Sequence, residues 1–293
     1  MSAAPSAGPA PDLEVLAREC PGTLAVAVPG MLAVNENAEL PLASVGKLLL
    51  LAEVARAVVS GSLDPGEVVA LREEDHCGGS GLLGGLSAGR WTVGDLALLT
   101  ASVSDNTATN ALLRRVGIDR VNAGAAELGF RRTRILDRIR EPRLPAHPPT
   151  FAVGTAAELA AFAARLAEAL STPPATPASG SPPASGRPEV TWERALAGWM
   201  AHNTDRSLVP ALLPHEPEDR EIPAAPPPGT VWVANKTGTD AGTRTDVGVM
   251  AGRRWLGYAV LAHGPAGAEH ALVTAARRAG LAVGALALRV SAR

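Results

Sequence analysis

Hydrophobic and polar positions follow two different periods along this chain, and the change of period organises it. From Asp12 to Arg18 apolar residues recur at helical spacing behind an acidic N-cap. Thr23–Val28 and Met31–Val34 are short apolar runs on either side of Pro29-Gly30, which predicts a hairpin. From Leu42 to Ser60 apolar residues occupy nearly the whole circumference of a helix, so this helix is expected to be buried on most sides and to end at Gly61. Further helices are predicted over Val93–Thr100, Thr107–Val116, Val121–Leu128, Thr155–Leu170 and Trp192–Met200, with Gly117 and Gly129 closing two of them. Past Gly229 the period becomes that of strands: Val231–Thr239, Thr245–Ala251 and Trp255–Ala262, joined by short glycine-containing turns. Ala268–Ala279 reads as a closing helix, and Val283–Val290 as an apolar run of either kind.

Strands at both ends with helices between them predict an α/β chain of the α+β type. Early and late strands meet in one mostly antiparallel sheet backed by terminal helices, and the middle of the chain forms an all-helical lobe. The expected division is a disordered tail over 1–10, a discontinuous sheet lobe over 11–41 and 223–293, and a helical lobe over 42–222, with the site in the cleft between lobes. Arg131 to Pro149 is expected to be an ordered loop. Residues 171–188 are rich in Pro, Ser, Ala and Gly, offer no face to bury, and predict a flexible insertion.

Composition narrows the function classes. The 293 residues suffice for a core without staples, and a formal charge of -2 with 19% charged residues gives no electrostatic footprint for nucleic acid. The amino terminus has no basic cluster followed by an apolar run, and no window reaches the ~18 uninterrupted apolar residues of a spanning helix, so a cytoplasmic chain is expected, or an extracellular one if the sequence has been trimmed. Cys20 and Cys77 have no metal-ligand spacing and read as half-buried thiols, with one bridge left open. The basic residues are uneven: of 27, only Lys47 and Lys236 are lysine. Arginine keeps its charge, whereas a desolvated lysine can give up its proton, so the neighbours of these two residues matter.

Lys47 stands three residues after Ser44 at the start of the buried helix. That spacing puts the two on one helical face, a base beside a nucleophile, with the helix amino end supplying free amides to an oxyanion. A helix cap with an unrelated lysine would give the same pair. Ser104-Asp105-Asn106 sits between two predicted helices, where such a triplet also caps. Lys236-Thr237-Gly238 lies on a strand, where an ammonium and a hydroxyl can hold a carboxylate and the glycine lets the backbone approach a ligand. The six histidines form no His-Glu-x-x-His pattern, and Gly46-Lys47 lacks the rest of a phosphate loop.

In this order, S-x-x-K, S-D-N and K-T-G resemble the set that marks class A beta-lactamases and penicillin-binding proteins. The resemblance runs from PLASVGK through VSDNTATN and ILDRIREPRLP to VANKTGTDAGTRTDVGV. It implies a beta-lactamase-like fold with a five-stranded sheet, and an active-site-serine hydrolase that opens beta-lactam amides through an acyl-enzyme. In that scheme Ser44 is the nucleophile, Lys47 takes or relays its proton, and Ser104, helped by Lys236, passes it to the leaving nitrogen. The amides of Ser44 and Thr239 form the oxyanion hole, and Asn106 holds the substrate amide or the site. Thr237 with Gly238 and Arg244 binds the carboxylate, Arg244 otherwise being a solvated strand-end charge. Glu141, in EPRLP, matches the loop glutamate that activates water, although Pro145 replaces an asparagine and two residues separate it from Arg138 where one is usual. Arg140 beside it would favour its anion and weaken it as a base; a surface Glu-Arg pair is the other reading. Gly79 stands where an aromatic usually walls the cleft, implying a wider mouth.

The partner expected is a small molecule, a beta-lactam or another carboxylate-bearing amide or ester, with no metal or cofactor, nucleic acid or membrane, acting on a monomer. Two alternatives stay open: an esterase, amidase or acyltransferase on the same scaffold, and a penicillin-binding sensor that acylates without turnover.

Overall fold

The structure, a computed structural model, describes residues 11–172 and 190–289. The tail predicted over 1–10 and nearly all of the insertion predicted over 171–188 lie outside the described residues.

Asp12 caps α1 (Leu13–Glu19) with its carboxylate on the Glu14 and Val15 amides, and the predicted hairpin follows as β1 (Thr23–Val28) and β2 (Leu32–Val34). After the two-residue β3 (Leu40–Pro41), a 3-10 turn over Ala43–Gly46 leads into α2 (Lys47–Val59). The middle of the chain then supplies β4 (Val68–Ala70), β5 (Arg90–Thr92), α3 (Val93–Ser102), α4 (Asn106–Val116), α5 (Ile118–Glu127), β6 (Arg134–Ile135), β7 (Ala152–Gly154), α6 (Ala156–Ser171) and α7 (Trp192–Ala201). Three long strands, β8 (Trp232–Asp240), β9 (Thr243–Ala251) and β10 (Trp255–His263), and the helix α8 (Glu269–Leu288) complete it.

The main sheet has five strands in the order β2-β1-β10-β9-β8, every neighbour antiparallel. Alternate residues of each strand serve two cores. Leu24, Val26, Val233, Met250, Tyr258 and Val260 pack with α1 and α8, whereas Ala25, Ala27, Ala234, Val247, Val249 and Leu261 face α2, α6 and the other helices. Small residues on that second face let α6 lie directly on the sheet: a Cβ at Gly257 would stand 2.0 Å from the Ala164 backbone nitrogen.

The expected break near residue 280 is absent, and α8 runs unbroken through the apolar run that followed it. Its two glycines are contact points instead. A Cβ at Gly280 would meet the Val209 carbonyl at 2.2 Å, and one at Gly284 the Leu213 side chain at 2.4 Å. By length and composition alone α8 could cross a membrane, but half of its most apolar window is buried inside the protein.

Candidate active site

The site is assembled on the 3-10 turn that precedes α2. Ser44 lies in this turn rather than in the first turn of an α-helix, a correction to the periodicity, which made one helix of 42–60. Three strands grip the turn. The Leu42 amide donates to the Ala152 carbonyl of β7 at 3.0 Å, and the Thr245 hydroxyl of β9 donates to the Leu42 carbonyl at 2.8 Å. On β8, Gly238 comes so close that a Cβ would stand 2.5 Å from the Leu42 oxygen and 2.9 Å from the Val45 nitrogen. Ala43 is held at φ 46°, a left-handed conformation that costs a residue with a Cβ about 1–2 kcal/mol.

Lys47 opens α2 with its side chain wholly buried. Its Nζ donates to the Ser104 carbonyl at 2.6 Å, the Ser104 hydroxyl at 3.0 Å and the Asn106 side-chain oxygen at 2.8 Å. Those three acceptors use all three ammonium donors, so Lys47 is engaged with Ser104 and not with the Ser44 hydroxyl, as the spacing alone had implied. Lys236, equally buried on β8, donates to the same Ser104 hydroxyl at 3.1 Å and to the Thr237 carbonyl at 2.8 Å. Burial, with the Lys236 charge added, pushes Lys47 well below the usual lysine range. Burial also lowers Lys236, to about 8, against the opposing pull of Asp205 and Asp246.

Ser104 is placed by its neighbours. It has φ 55° at the corner between α3 and α4. Asp105 caps α4 by accepting from the Ala108 amide at 2.8 Å, and its other oxygen accepts from the Leu82 and Leu83 amides at 2.6 and 2.9 Å. Asn106 donates to the Gly78 carbonyl at 2.7 Å, which ties the loop around Gly79 and Ser80 to the same corner. Ser44, Ser80, Ser104, Asn203, Asp205, Thr237 and Thr239 are among the residues lining one cavity of about 210 Å³. The three motifs, far apart in sequence, thus converge.

Two predicted site residues stand apart from this cavity. Arg244 pairs with Thr239 across the β8–β9 hairpin, and its guanidinium donates to the Asp240 and Thr243 carbonyls, both at 2.7 Å. Glu141 is exposed; a Cβ on Gly78 would meet its Cγ at 3.7 Å. Arg140 pairs with Asp137 at 2.6 Å, so the expected Arg140–Glu141 pairing gives way to a loop staple. Asn110 of α4 holds the same loop by exchanging two hydrogen bonds with Ile139, at 2.9 and 3.0 Å.

The pattern of the sequence missed other residues. Cys77, a free thiol like Cys20, lies within reach of the Glu141 amide and feels the Lys47 charge. Burial pushes its thiol up. Asn203 donates to Asn235 at 3.1 Å, and Asp205, two residues on, lines the same cavity as Thr237. Beneath β8, Asn235 and Tyr258 both donate to Asp246, at 3.0 Å each, and the Val209 amide donates to its other oxygen at 3.1 Å. Arg206 donates to Asn235 from the same buried set. Burial raises Asp246 to about 7. A polar residue at an inward position of an apolar strand, such as Asp246 in TDVGVMA, was the available signal.

Residues 16–178, more than half of the chain, match the model of the beta-lactamase enzyme family. The chain belongs to this family. Its fold agrees: a beta-lactamase from Sphaerobacter thermophilus superimposes with a TM-score of 0.72 at 26% identity, over 94% of this chain and 97% of that one. An ancestral class A beta-lactamase gives 0.71 at 24% identity over 94% and 98%, and PBP-A gives 0.73 at 18% over 94% and 93%. No curated protein sequence gives a significant match. Among the described residues no group of three or more His, Cys, Asp or Glu side chains could hold a metal ion.

Proposed function

We propose that this beta-lactamase-family protein hydrolyses beta-lactam amides through an acyl-enzyme at Ser44. The observation that carries the reading is the Ser104 hydroxyl, which receives hydrogen bonds from both lysines at 3.0 and 3.1 Å inside the cavity that Ser44 lines. When Lys47 is neutral its Nζ has a lone pair and two N–H groups, so at the 3.0 Å contact it accepts from the Ser104 hydroxyl instead of donating to it, and Ser104 passes its own proton to Lys47 as it takes the one from Ser44. Lys47, held toward its neutral form, accepts the Ser44 proton by way of Ser104 as the Ser44 oxygen attacks the carbonyl. The oxyanion forms between the Ser44 and Thr239 amides, a reading supported by the close approach of Gly238 to Leu42 and Val45 on either side of Ser44. As the carbon–nitrogen bond breaks, Ser104 returns the proton to the leaving nitrogen, with Lys236 steadying its oxygen. Glu141 is assigned the water that cleaves the ester, through movement of its exposed side chain toward Ser44.

Intact-protein mass followed over time with a penicillin and a chromogenic cephalosporin tests this. A transient adduct on wild type, none on Ser44→Ala, and a lasting one on Glu141→Gln are expected. A lasting adduct on wild type would make the protein a penicillin-binding sensor, and no adduct would remove both readings. A second reading, an esterase or amidase, is favoured by one feature: Arg244 is turned onto its own hairpin rather than toward Thr237.

A further inference from the structure

The ammonium of Lys236 and the hydroxyl of Thr237, midway along β8, are the groups that would hold a substrate carboxylate. A carboxylate of the protein already stands there. Asp205 lines the same cavity as Ser44 and Thr237, and its charge is favoured by Thr237 and Lys236. Its position is built. The Ser207 amide donates to Asp205 Oδ1 at 2.9 Å, the Asp205 amide donates to Asn203 Oδ1 at 3.2 Å, and Asn203 is bound to Asn235, the residue before Lys236, at 3.1 Å. Burial opposes ionisation of Asp205, but Ser207, Thr237 and Lys236 outweigh it and hold the carboxyl below its ordinary range. It is an anion at neutral pH. Arg206, which feels this charge, donates to Asn235 and the Ala201 carbonyl, and Arg244 is committed to Asp240 and Thr243.

We propose that Asp205 sets the substrate class of the site: acyl donors that are uncharged or cationic beside the scissile bond, with carboxylate-bearing donors disfavoured. The inference rests on Ser44 being an acylated nucleophile and narrows what acylates it: a penicillin, which carries such a carboxylate, still acylates Ser44 but more slowly than its uncharged ester. A substrate carboxylate held at Thr237 has to lie in the same small cavity as Asp205, two like charges in a partly desolvated cleft. An ammonium, hydroxyl or amide N–H instead finds an acceptor.

The test compares acylation rates of wild type, Asp205→Asn and Asp205→Thr, read by intact mass. The donors are a penicillin and its methyl ester, and a 3-carboxyphenyl ester of phenylacetylglycine and the methyl ester of that compound. A fluorophosphonate, which labels activated serines, controls for the nucleophile. Wild type is expected to prefer the uncharged member of each pair by at least ~10-fold, and both variants to lose most of that preference. A residue that only shapes the loop would change both members of a pair by one factor and leave the ratio alone, which overturns the inference. So does equal acylation by both members in wild type, or labelling of Ser44 with no uncharged donor reacting. Failure of the fluorophosphonate to label Ser44 removes the acyl-enzyme reading itself, and this inference with it.

Discussion

Ser104 holds a backbone conformation that its own Cβ disfavours, φ 55°. Replacing it by glycine or by alanine removes the same hydroxyl, but only glycine relieves the backbone. Both variants should lose about 10²–10⁴-fold in acylation rate, while Ser104→Gly melts above Ser104→Ala by an amount worth about 1 kcal/mol. Thermal melts set beside acylation rates check both parts; equal melting temperatures would count against strain at this residue. Lys236 gives a pH signature. Its ammonium holds the Ser104 oxygen and is lowered to about 8, so acylation should fall as pH rises through that value. Lys236→Arg, charged throughout, should lower the plateau and push the alkaline limb up. At this scale the lysines were legible because the chain has only two among its 27 basic residues. Asp205 was not: in N-T-D after a helix it reads as a turn residue, and its meaning depends on Thr237, on a strand some thirty residues later.

Buried polar groups on single strands set the behaviour of the elements. Asp246, on β9, is raised to about 7 from an ordinary 3.8 because it is fully buried. Between those values the folded protein keeps a proton that the unfolded chain has released, so the contribution of Asp246 is present below about 4 and is lost as pH rises through 7. Asp246→Asn should flatten this part of the stability curve, raising the melting temperature at pH 8 more than at pH 5 by the equivalent of a few kcal/mol. A parallel offset at both pH values would place the effect in packing instead. Long elements were readable: α6 and the three late strands by a clear period, and α2 by its nearly continuous apolar run, although that run concealed where the helix starts. The two-residue β3 and β6 and the three-residue β4, β5 and β7 have too few positions to show alternation. The continuity of α8 was hidden because a glycine that makes room for Val209 looks, in sequence, like one that ends a helix.

Across the whole molecule the reactive groups meet only because two segments distant in sequence stay in register. Ser44 comes with the turn before α2 and Thr239 with β8, and the bond from the Thr245 hydroxyl to the Leu42 carbonyl, 2.8 Å, joins them. Thr245→Val keeps the shape and removes one of the two donors to that carbonyl, leaving it the Val45 amide at 3.1 Å, for a stability cost of about 0.5–1.5 kcal/mol. If the Ser44 and Thr239 amides bind the oxyanion as proposed, acylation should fall by more than that cost accounts for, since they lose alignment; an unchanged acylation rate in a destabilised variant would separate the two roles. Strands at both ends with helices between made the architecture legible, and the three motifs marked the centre of the cleft. Its rim was harder to read, because Glu141 and Arg244 occupy matching places in the sequence while their side chains lie outside the cavity. The complete burial of both lysines reaches beyond catalysis. Apart from its amino terminus, the folded chain presents no primary amine to solvent, so acylating or cross-linking reagents for amines find Lys47 and Lys236 only when the cleft opens. Their uptake is then a direct count of how often it does.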